Sequence, residues 1–417
     1  MIFAPGGPLK TNKAPDLPGT DLPMLPRERV IAALEHREPD RIPWGEHSVD
    51  YNVYEDILGR ETLVQAKMKQ TRAMWEGRRD EVVESYKRDR LDLIRALEMD
   101  VVFVEPVPAK GYHPKPMEQL DNDTYRDAQG NIFRISSTTH DLMPYKWNSE
   151  NYAAPTIESL QENIDKLDEA LAADPPKVDP SDSRWDLVRH AVEQMKDTHF
   201  IMVLCGDLEF PRFGPNEEES WMNLVLHPDI CRKIAEQRGK QMLCEARAHA
   251  QLGVDAIMPA GDLGSSTALM ASPQIYREMV YPWHKAHVAE AHRLGLWVLK
   301  HCCGHTWPVI DELAEVYDAY EGIQASAGMD IAKLKQRVGD KLCLWGGIWH
   351  EHIILGTPDD IRNDARYAFT HAGPGGGYIM GSTHSLAVDA KVENILEMKR
   401  CRDEWGGYPI DPADFNA

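Results

Sequence analysis

Residues 297–307, WVLKHCCGHTW, run from an apolar segment straight into two histidines and two adjacent cysteines. A short apolar run that ends in polar groups and sits between amphipathic helical stretches is a strand of a βα repeat. The same unit recurs along the second half of the chain. HFIMVLCGDLE, VDAIMPAGDLG, WVLKHCCGH, AYEGIQAS, LCLWGGIWHEH and GYIMGSTHS are β-type runs after position 195, and their alternation with helices requires a parallel sheet. Boundary signals sharpen the pattern. Ser272-Pro273 and Thr357-Pro358 each give an N-cap followed by proline in the first helical turn, and Gly373 gives a helix stop. Earlier strands near RIPWGEH and MDVVFVEP bring the count to eight. The expected class is α/β, a (β/α)8 TIM barrel, with an open doubly wound sheet as the alternative.

The N-terminal portion adds to that barrel. Residues 1–27 carry Pro5, Pro8, Pro15, Pro18, Pro23 and Pro26, the composition of an extended arm that would wrap the body or a second subunit of a homo-oligomer. PRERVIAALEHREPDRI reads as a short helix ending before Pro39, and residues 55–97 read as further helix. DVVFVEPVPA and NIFRISSTTHDL suggest strands and a hairpin. Residues 155–183 suggest a helix followed by a Pro/Asp-rich connection. The expected organisation is an arm over 1–27 and one barrel domain over 28–417.

Composition narrows the functional class. The 417 residues are 42% apolar and 27% charged, as in globular proteins, and the net charge of -21 opposes a general nucleic-acid or anionic-membrane surface. No run approaches the roughly 18 apolar residues of a membrane span, and the N-terminus lacks a secretory apolar core. A cytoplasmic protein whose partners are small molecules or proteins is expected. Seven scattered cysteines form no disulfide framework, and the adjacent Cys302-Cys303 is not a CxxC redox pair.

In a barrel the reactive groups stand at the C-terminal ends of the strands, where the loops share one mouth. Followed to their ends, the strand runs deliver Glu46 and His47, Glu105, Asp207 and Glu209, Asp262, His301 with Cys303 and His305, Gln324, His350 and His352, then Thr383 and His384. Any one of these fits an ordinary strand end, but the excess of imidazole and carboxylate fits an active-site mouth. On an extended segment residues two apart share a side, so His301 and Cys303 project together while Cys302 faces the helices. An imidazole and a thiolate are good zinc ligands, and a third from another strand would leave one position open for substrate. His384 is the first choice for that third ligand, and His350 with His352, read as a same-side pair, could compete. A partly buried thiol with a hydrogen-bonded imidazole and no metal is the alternative. His284 and His287, one turn apart, are read as a solvated or satisfied helix face. GPGGGY (373–378) precedes a strand rather than a helix, so it is a turn and not a phosphate loop.

LMASPQIYREMVYPWHKAHVAEAHRLGLWVLKHCCGHTWPVIDEL, SAGMDIAKLKQRVGDKLCLWGGIWHEH, GTPDDI and GPGGGYIMGSTHSLAVDAKVENILEM resemble the uroporphyrinogen decarboxylase-like superfamily, and RERVIAALEHREPDRIPW is similar to its opening. The resemblance spans most of residues 27–405 and implies a (β/α)8 barrel. It leaves the reaction open between porphyrinogen decarboxylation and corrinoid-linked methyl transfer. The decarboxylase branch relies on an arginine-rich N-terminal segment, whereas RIPWGEHSVDYNVYED is acidic and aromatic after Arg41. The methyltransferase branch carries an HxC zinc motif plus a distant cysteine. His301 and Cys303 match its first part, but Thr383 and His384 stand where the second cysteine is expected. The resemblance therefore implies a corrinoid-dependent methyltransferase, moving a methyl group from a methoxylated small molecule, such as an aromatic methyl ether, to the Co(I) corrinoid of a partner protein. His301, Cys303 and His384 would hold zinc, and Asp262 and Glu209, then His350 and His352, are the candidate acids or orienting groups. Transfer from methylcorrinoid to a thiol and a decarboxylase-like lyase are the rival reactions.

Overall fold

A computed structural model describes residues 23–148, 157–173, 178–214 and 216–415. Most of the proline-rich arm lies outside the described residues. Pro26 already opens helix α1 (Pro26–Leu34), where the Glu28 carboxylate accepts the Leu25 N–H at 2.8 Å. The stretch expected to be helical becomes α2 (Tyr51–Leu58), α3 (Lys67–Trp75) and α4 (Arg79–Leu97), followed by strand β1 (Val101–Val104). The expected hairpin is the larger half of a four-stranded antiparallel sheet, β2 (Glu118–Gln119), β3 (Thr124–Arg126), β4 (Ile132–Ile135) and β5 (Leu142–Lys146). Helices α5 (Ile157–Ala172) and α6 (Asp186–Met195) return the chain to the barrel.

From there the βα alternation is regular. β6 (Phe200–Cys205) leads to α7 (Glu217–Leu226) and α8 (Pro228–Leu252), and β7 (Ala256–Pro259) leads to α9 (Pro273–Ile275) and α10 (Tyr281–Arg293), joined by a π-turn. β8 (Trp297–His301), α11 (Ile310–Val316), β9 (Ala319–Glu321) and α12 (Ile331–Val338) follow. The chain then forms β10 (Cys343–Ile348), α13 (His350–Leu355), α14 (Pro358–Ala372), β11 (Tyr378–Ser382) and α15 (Val392–Trp405). The Ser272 hydroxyl caps α9, Thr357 forms a capping box with Asp360, and Gly373 ends α14. These are the caps expected from the Ser-Pro and Thr-Pro pairs.

The seven parallel strands are ordered β1-β6-β7-β8-β9-β10-β11. Each new strand joins its predecessor and the order never reverses, which excludes the doubly wound alternative. RIPWGEH does not form a full eighth strand. Instead Trp44 O accepts the Asp100 and Val101 N–H groups at 2.7 and 3.3 Å, Gly45 N–H donates to Met380 O at 3.1 Å, and Met380 N–H donates to Pro43 O at 2.8 Å. Residues 43–45 therefore bond to both edges of the curled sheet and close the ring. Pro43 has no N–H to add to the ladder. A Cβ on Gly45 would lie 2.8 Å from the Val101 side chain and 2.9 Å from the Trp345 ring, so only glycine fits this crowded stave.

Side chains alternate across the strands as the pleat requires. Phe103, Met202, Met258, Leu299, Ala319 and Trp345 fill the barrel interior, whereas Val102, Val203, Val298 and Tyr320 pack under the helices. The interior set is continued by His301, two residues beyond Leu299, and by Glu321, two beyond Ala319. Cys302 faces the helices and is fully buried. All seven cysteines are free thiols, and among the described residues no helix is long and apolar enough to cross a membrane.

One expectation needs correction and another is narrowed. LCLWGGIWHEH is not extended to its end, because β10 stops at Ile348 and His350 starts α13. His350 and His352 therefore follow helical geometry and do not point the same way. Of the two readings of His284 and His287, a solvated face is excluded, and the satisfied one holds for His284. α10 packs along α8, leaving them 0% and 1% exposed, with the His284 Nε2–H donating to Leu208 O at 2.9 Å.

Candidate active site at the barrel mouth

The loop after β8 brings the central groups together. Gly304 has φ +81, and a Cβ there would lie 2.4 Å from the Gly264 backbone. The loop after β8 thus lies directly against the loop after β7. This contact carries Cys303 to Asp262, whose Oδ1 accepts the Cys303 N–H at 2.8 Å. His301 Nε2 lies 3.3 Å from Cys303 Sγ and 3.9 Å from Asp262 Oδ1. The three ligand atoms all fall within 4.8 Å of one another.

Behind His301 stands Glu321, 1% exposed. Its carboxylate accepts the Nδ1–H of His301 and, at 3.0 Å, that of His47. With Nδ1–H committed to Glu321, the His301 Nε2 lone pair points at Cys303 and Asp262. Burial alone would raise Glu321; the facing His47 and His301 rings outweigh it and hold its carboxyl well below the usual range. Burial is the largest single influence on His301 and lowers it, but the Glu321 charge and hydrogen bond and the Asp262 charge together outweigh it, so its imidazole sits above the ordinary value. The Cys303 thiol is pushed far up by burial and by the Asp262 and Glu321 charges. Without a cation beside it, Cys303 is a neutral thiol.

A second network fixes the strand tips. Lys300, fully buried, donates to Asp207 Oδ2 at 2.6 Å, Gly261 O at 2.5 Å and His301 O at 2.6 Å. Asp207 also accepts the Gly261 N–H at 2.7 Å. The ends of β6, β7 and β8 are thereby tied to one ammonium, which fixes the backbone of His301. Glu209 lies against Gly261, exposed at the mouth. Desolvation and the Asp207 and Asp262 charges raise its carboxyl above the ordinary value.

Not every anticipated residue joins the cluster. His384 stands beside it, its ring centroid 6.4 Å from that of His301 and 6.3 Å from that of His47. It belongs to neither group of converging ligand atoms found among the described residues, which are His301, Cys303 and Asp262 and the His47, His301 and Glu321 triad. Burial and the rings of His47, His350 and His301 push the His384 imidazole down to about 4. His350 packs against it at 5.2 Å and donates Nδ1–H to Ser385 O at 2.9 Å. His352 turns the other way, toward Asp364. The His301 and Cys303 pair is found as expected with Asp262 next to it, and Glu209 lies against Gly261, the residue before Asp262. Sequence reasoning missed Glu321. The available signal was an acidic residue inside the apolar run AYEG, where a charge is stable only beside a partner.

A tetrahedral zinc with bonds of about 2.0–2.3 Å holds its ligand atoms roughly 3.3–3.8 Å apart. The 3.3 Å from His301 Nε2 to Cys303 Sγ falls in that range, and the 3.9 Å to Asp262 Oδ1 lies just beyond it, a gap that a small side-chain rotation closes. The Glu321 contact supplies the carboxylate that commonly backs a ligating histidine. The donor set therefore fits zinc.

Residues 220–405 match the family model described as uroporphyrinogen decarboxylase (URO-D). No curated protein matches the chain. Among solved structures, a methyltransferase from Methanosarcina mazei superposes with a TM-score of 0.59 at 16% identity, covering 91% of this chain and 99% of its own. A 3-keto-D-glucoside 4-epimerase from E. coli (TM-score 0.31, 14% identity, 58% of this chain and 94% of that one) shares less of the architecture. A D-psicose 3-epimerase from Clostridium cellulolyticum H10 is similarly distant (TM-score 0.34, 12% identity, 58% and 90%).

Proposed function

From a barrel of the uroporphyrinogen decarboxylase-like superfamily, whose family segment runs over residues 220–405, we propose a corrinoid-dependent methyltransferase. It moves a methyl group from a methoxylated small molecule, an aromatic methyl ether, to the Co(I) corrinoid of a partner protein. The observation that carries this reading is the convergence of His301, Cys303 and Asp262 at the mouth, backed by Glu321. The grouped side chains are imidazoles, a thiol and carboxylates. The buried cations nearby are already engaged, Lys300 with Asp207 and Arg90 with Glu105, so a polycarboxylate would meet repulsion rather than a cradle.

An ether methyl transfers slowly because the C–O bond breaks with its electron pair left on oxygen. The site must lower the energy of that oxygen. Zinc held by His301, Cys303 and Asp262 would supply Lewis-acid stabilisation there. The chain's own residues do the remaining work. Glu321 holds the His301 tautomer, and Lys300 holds its backbone. Glu209, whose carboxyl is raised above its ordinary value by desolvation and the Asp207 and Asp262 charges, stands at the mouth to deliver the proton that the departing oxygen requires.

The test is anaerobic incubation of the protein with Co(I) cobalamin and a panel of methoxylated aromatics, following methylcobalamin by absorbance alongside zinc analysis. Methylcobalamin formation with stoichiometric zinc, both lost in His301→Ala, supports the reading. Carbon dioxide release from a porphyrinogen with no methylcobalamin from any ether overturns it.

A further inference from the structure

Beside the mouth, between the loops after β9 and β10 and helix α14, lies a cavity of about 220 Å³. Its lining combines an aliphatic wall, Ile323, Met329 and Ile331, with Trp349, His352 and Asp364. The histidine is held in a defined state. His352 Nδ1–H donates to Asp364 Oδ2 at 2.8 Å, and the same oxygen accepts the Trp349 N–H at 3.0 Å. The His352 and Trp349 rings stack, 5.2 Å apart and 10° from parallel. With Nδ1 committed as donor, Nε2 is a hydrogen-bond acceptor. The carboxylate and the ring face hold this imidazole among the residues that line the cavity.

We propose that this cavity seats an uncharged aromatic ring bearing a hydroxyl, which donates to His352 Nε2 while the ring packs between Trp349 and the aliphatic wall. That this ring is the methyl donor rests on the transfer reading above. The size admits one ring and excludes a tetrapyrrole, since cavities for drug-sized ligands run to roughly 300–1,000 Å³. Charge sets the class further. The lining includes the carboxylates of Asp330 and Asp364 and no lysine or arginine. Both carboxylates already accept hydrogen bonds, Asp330 from the Tyr367 hydroxyl at 2.9 Å and the Lys333 N–H at 2.9 Å. They are therefore poor anchors for a cation, yet they repel an anion. A phenol suits the cavity, and a benzoate does not.

Isothermal titration of the full chain with three probes tests this without any corrinoid. The probes are 2-methoxyphenol, methoxybenzene and 4-hydroxy-3-methoxybenzoate. The phenol should bind about tenfold more tightly than methoxybenzene, as expected for one hydrogen bond, and at least tenfold more tightly than the benzoate. His352→Phe should bring the phenol and methoxybenzene to equal affinity. Asp364→Asn, which keeps the shape, should weaken the phenol alone, and circular dichroism verifies that each variant is folded. Equal affinity for phenol and benzoate, unchanged phenol affinity in both variants, or binding of none of the probes overturns the proposal. Phenol binding without methyl transfer to Co(I) defeats the transfer reading and leaves this one standing. Transfer with an unaltered KM in His352→Phe does the reverse.

Discussion

Replacing Glu321 by glutamine tests the relation between the barrel interior and the ligand cluster. The carboxylate accepts from His301 and His47 with its two oxygens. An amide keeps the shape but offers one oxygen and one NH2 group. If the NH2 group faces His301, Nδ1 must become the acceptor, and the proton then moves to Nε2, the atom aimed at Cys303 and Asp262. Loss of a carboxylate behind a metal-ligating histidine typically costs about 10–100-fold in metal affinity, which is roughly 1.4–2.8 kcal/mol. The fold should survive, because the substitution changes no volume. Competition with a chromogenic chelator at pH 7 measures the zinc affinity. Weakening by one to two orders of magnitude with unchanged circular dichroism is expected. Affinity within twofold of the parent would refute the argument that Glu321 sets the His301 tautomer.

Other substitutions separate the candidate ligands from their neighbours. Asp262→Ala should lose zinc by at least tenfold, whereas His384→Ala, outside the converging group, should retain it; elemental analysis after dialysis distinguishes the two, and the opposite result would restore His384 as the third ligand. Lys300→Met leaves the buried Asp207 charge without its cation, which should destabilise the protein by about 3–5 kcal/mol in urea unfolding. Asp89 bonds Arg60, Arg88, Ser85 and Thr62, and although burial opposes ionisation these contacts hold its carboxyl down at about 2. A depressed carboxyl stabilises above its unfolded value and loses that contribution as pH falls from about 4 toward 2. Asp89→Asn should therefore cost on the order of 2 kcal/mol at pH 7, with the difference from the parent shrinking below pH 4.

The barrel was legible because its strands and helices carry opposite periodicities, and because Ser272, Thr357 and Gly373 mark boundaries by local chemistry alone. The pairing of His301 with Cys303 follows from the two-residue repeat and needs no tertiary information. Glu321 and His47 were less visible, since their value depends on a contact between residues 274 positions apart. Asp262 was recognised as important but given the role of an acid, because nothing local reveals that the Gly304 loop carries Cys303 onto it. The same limit explains His350 and His352. No proline separates Ile348 from α13, so the run looked extended while the backbone had already changed period. For His284 and His287 the choice between a solvated and a satisfied face stayed open, as the α8 and α10 packing that buries them is invisible in the spacing of one helix.

The stave formed by residues 43–45 joins the beginning of the barrel to its last strand, and it presents His47 to Glu321. During synthesis, this piece emerges early and must wait for residues near 380 before it can be held on both flanks. The cylinder therefore becomes complete only once β11 has been made, and until then the edges of β1 and the newest strand stay open to mispairing. A truncated product ending before β11 would carry every one of the His301, Cys303 and Asp262 ligands and still lack the closed wall that orients them.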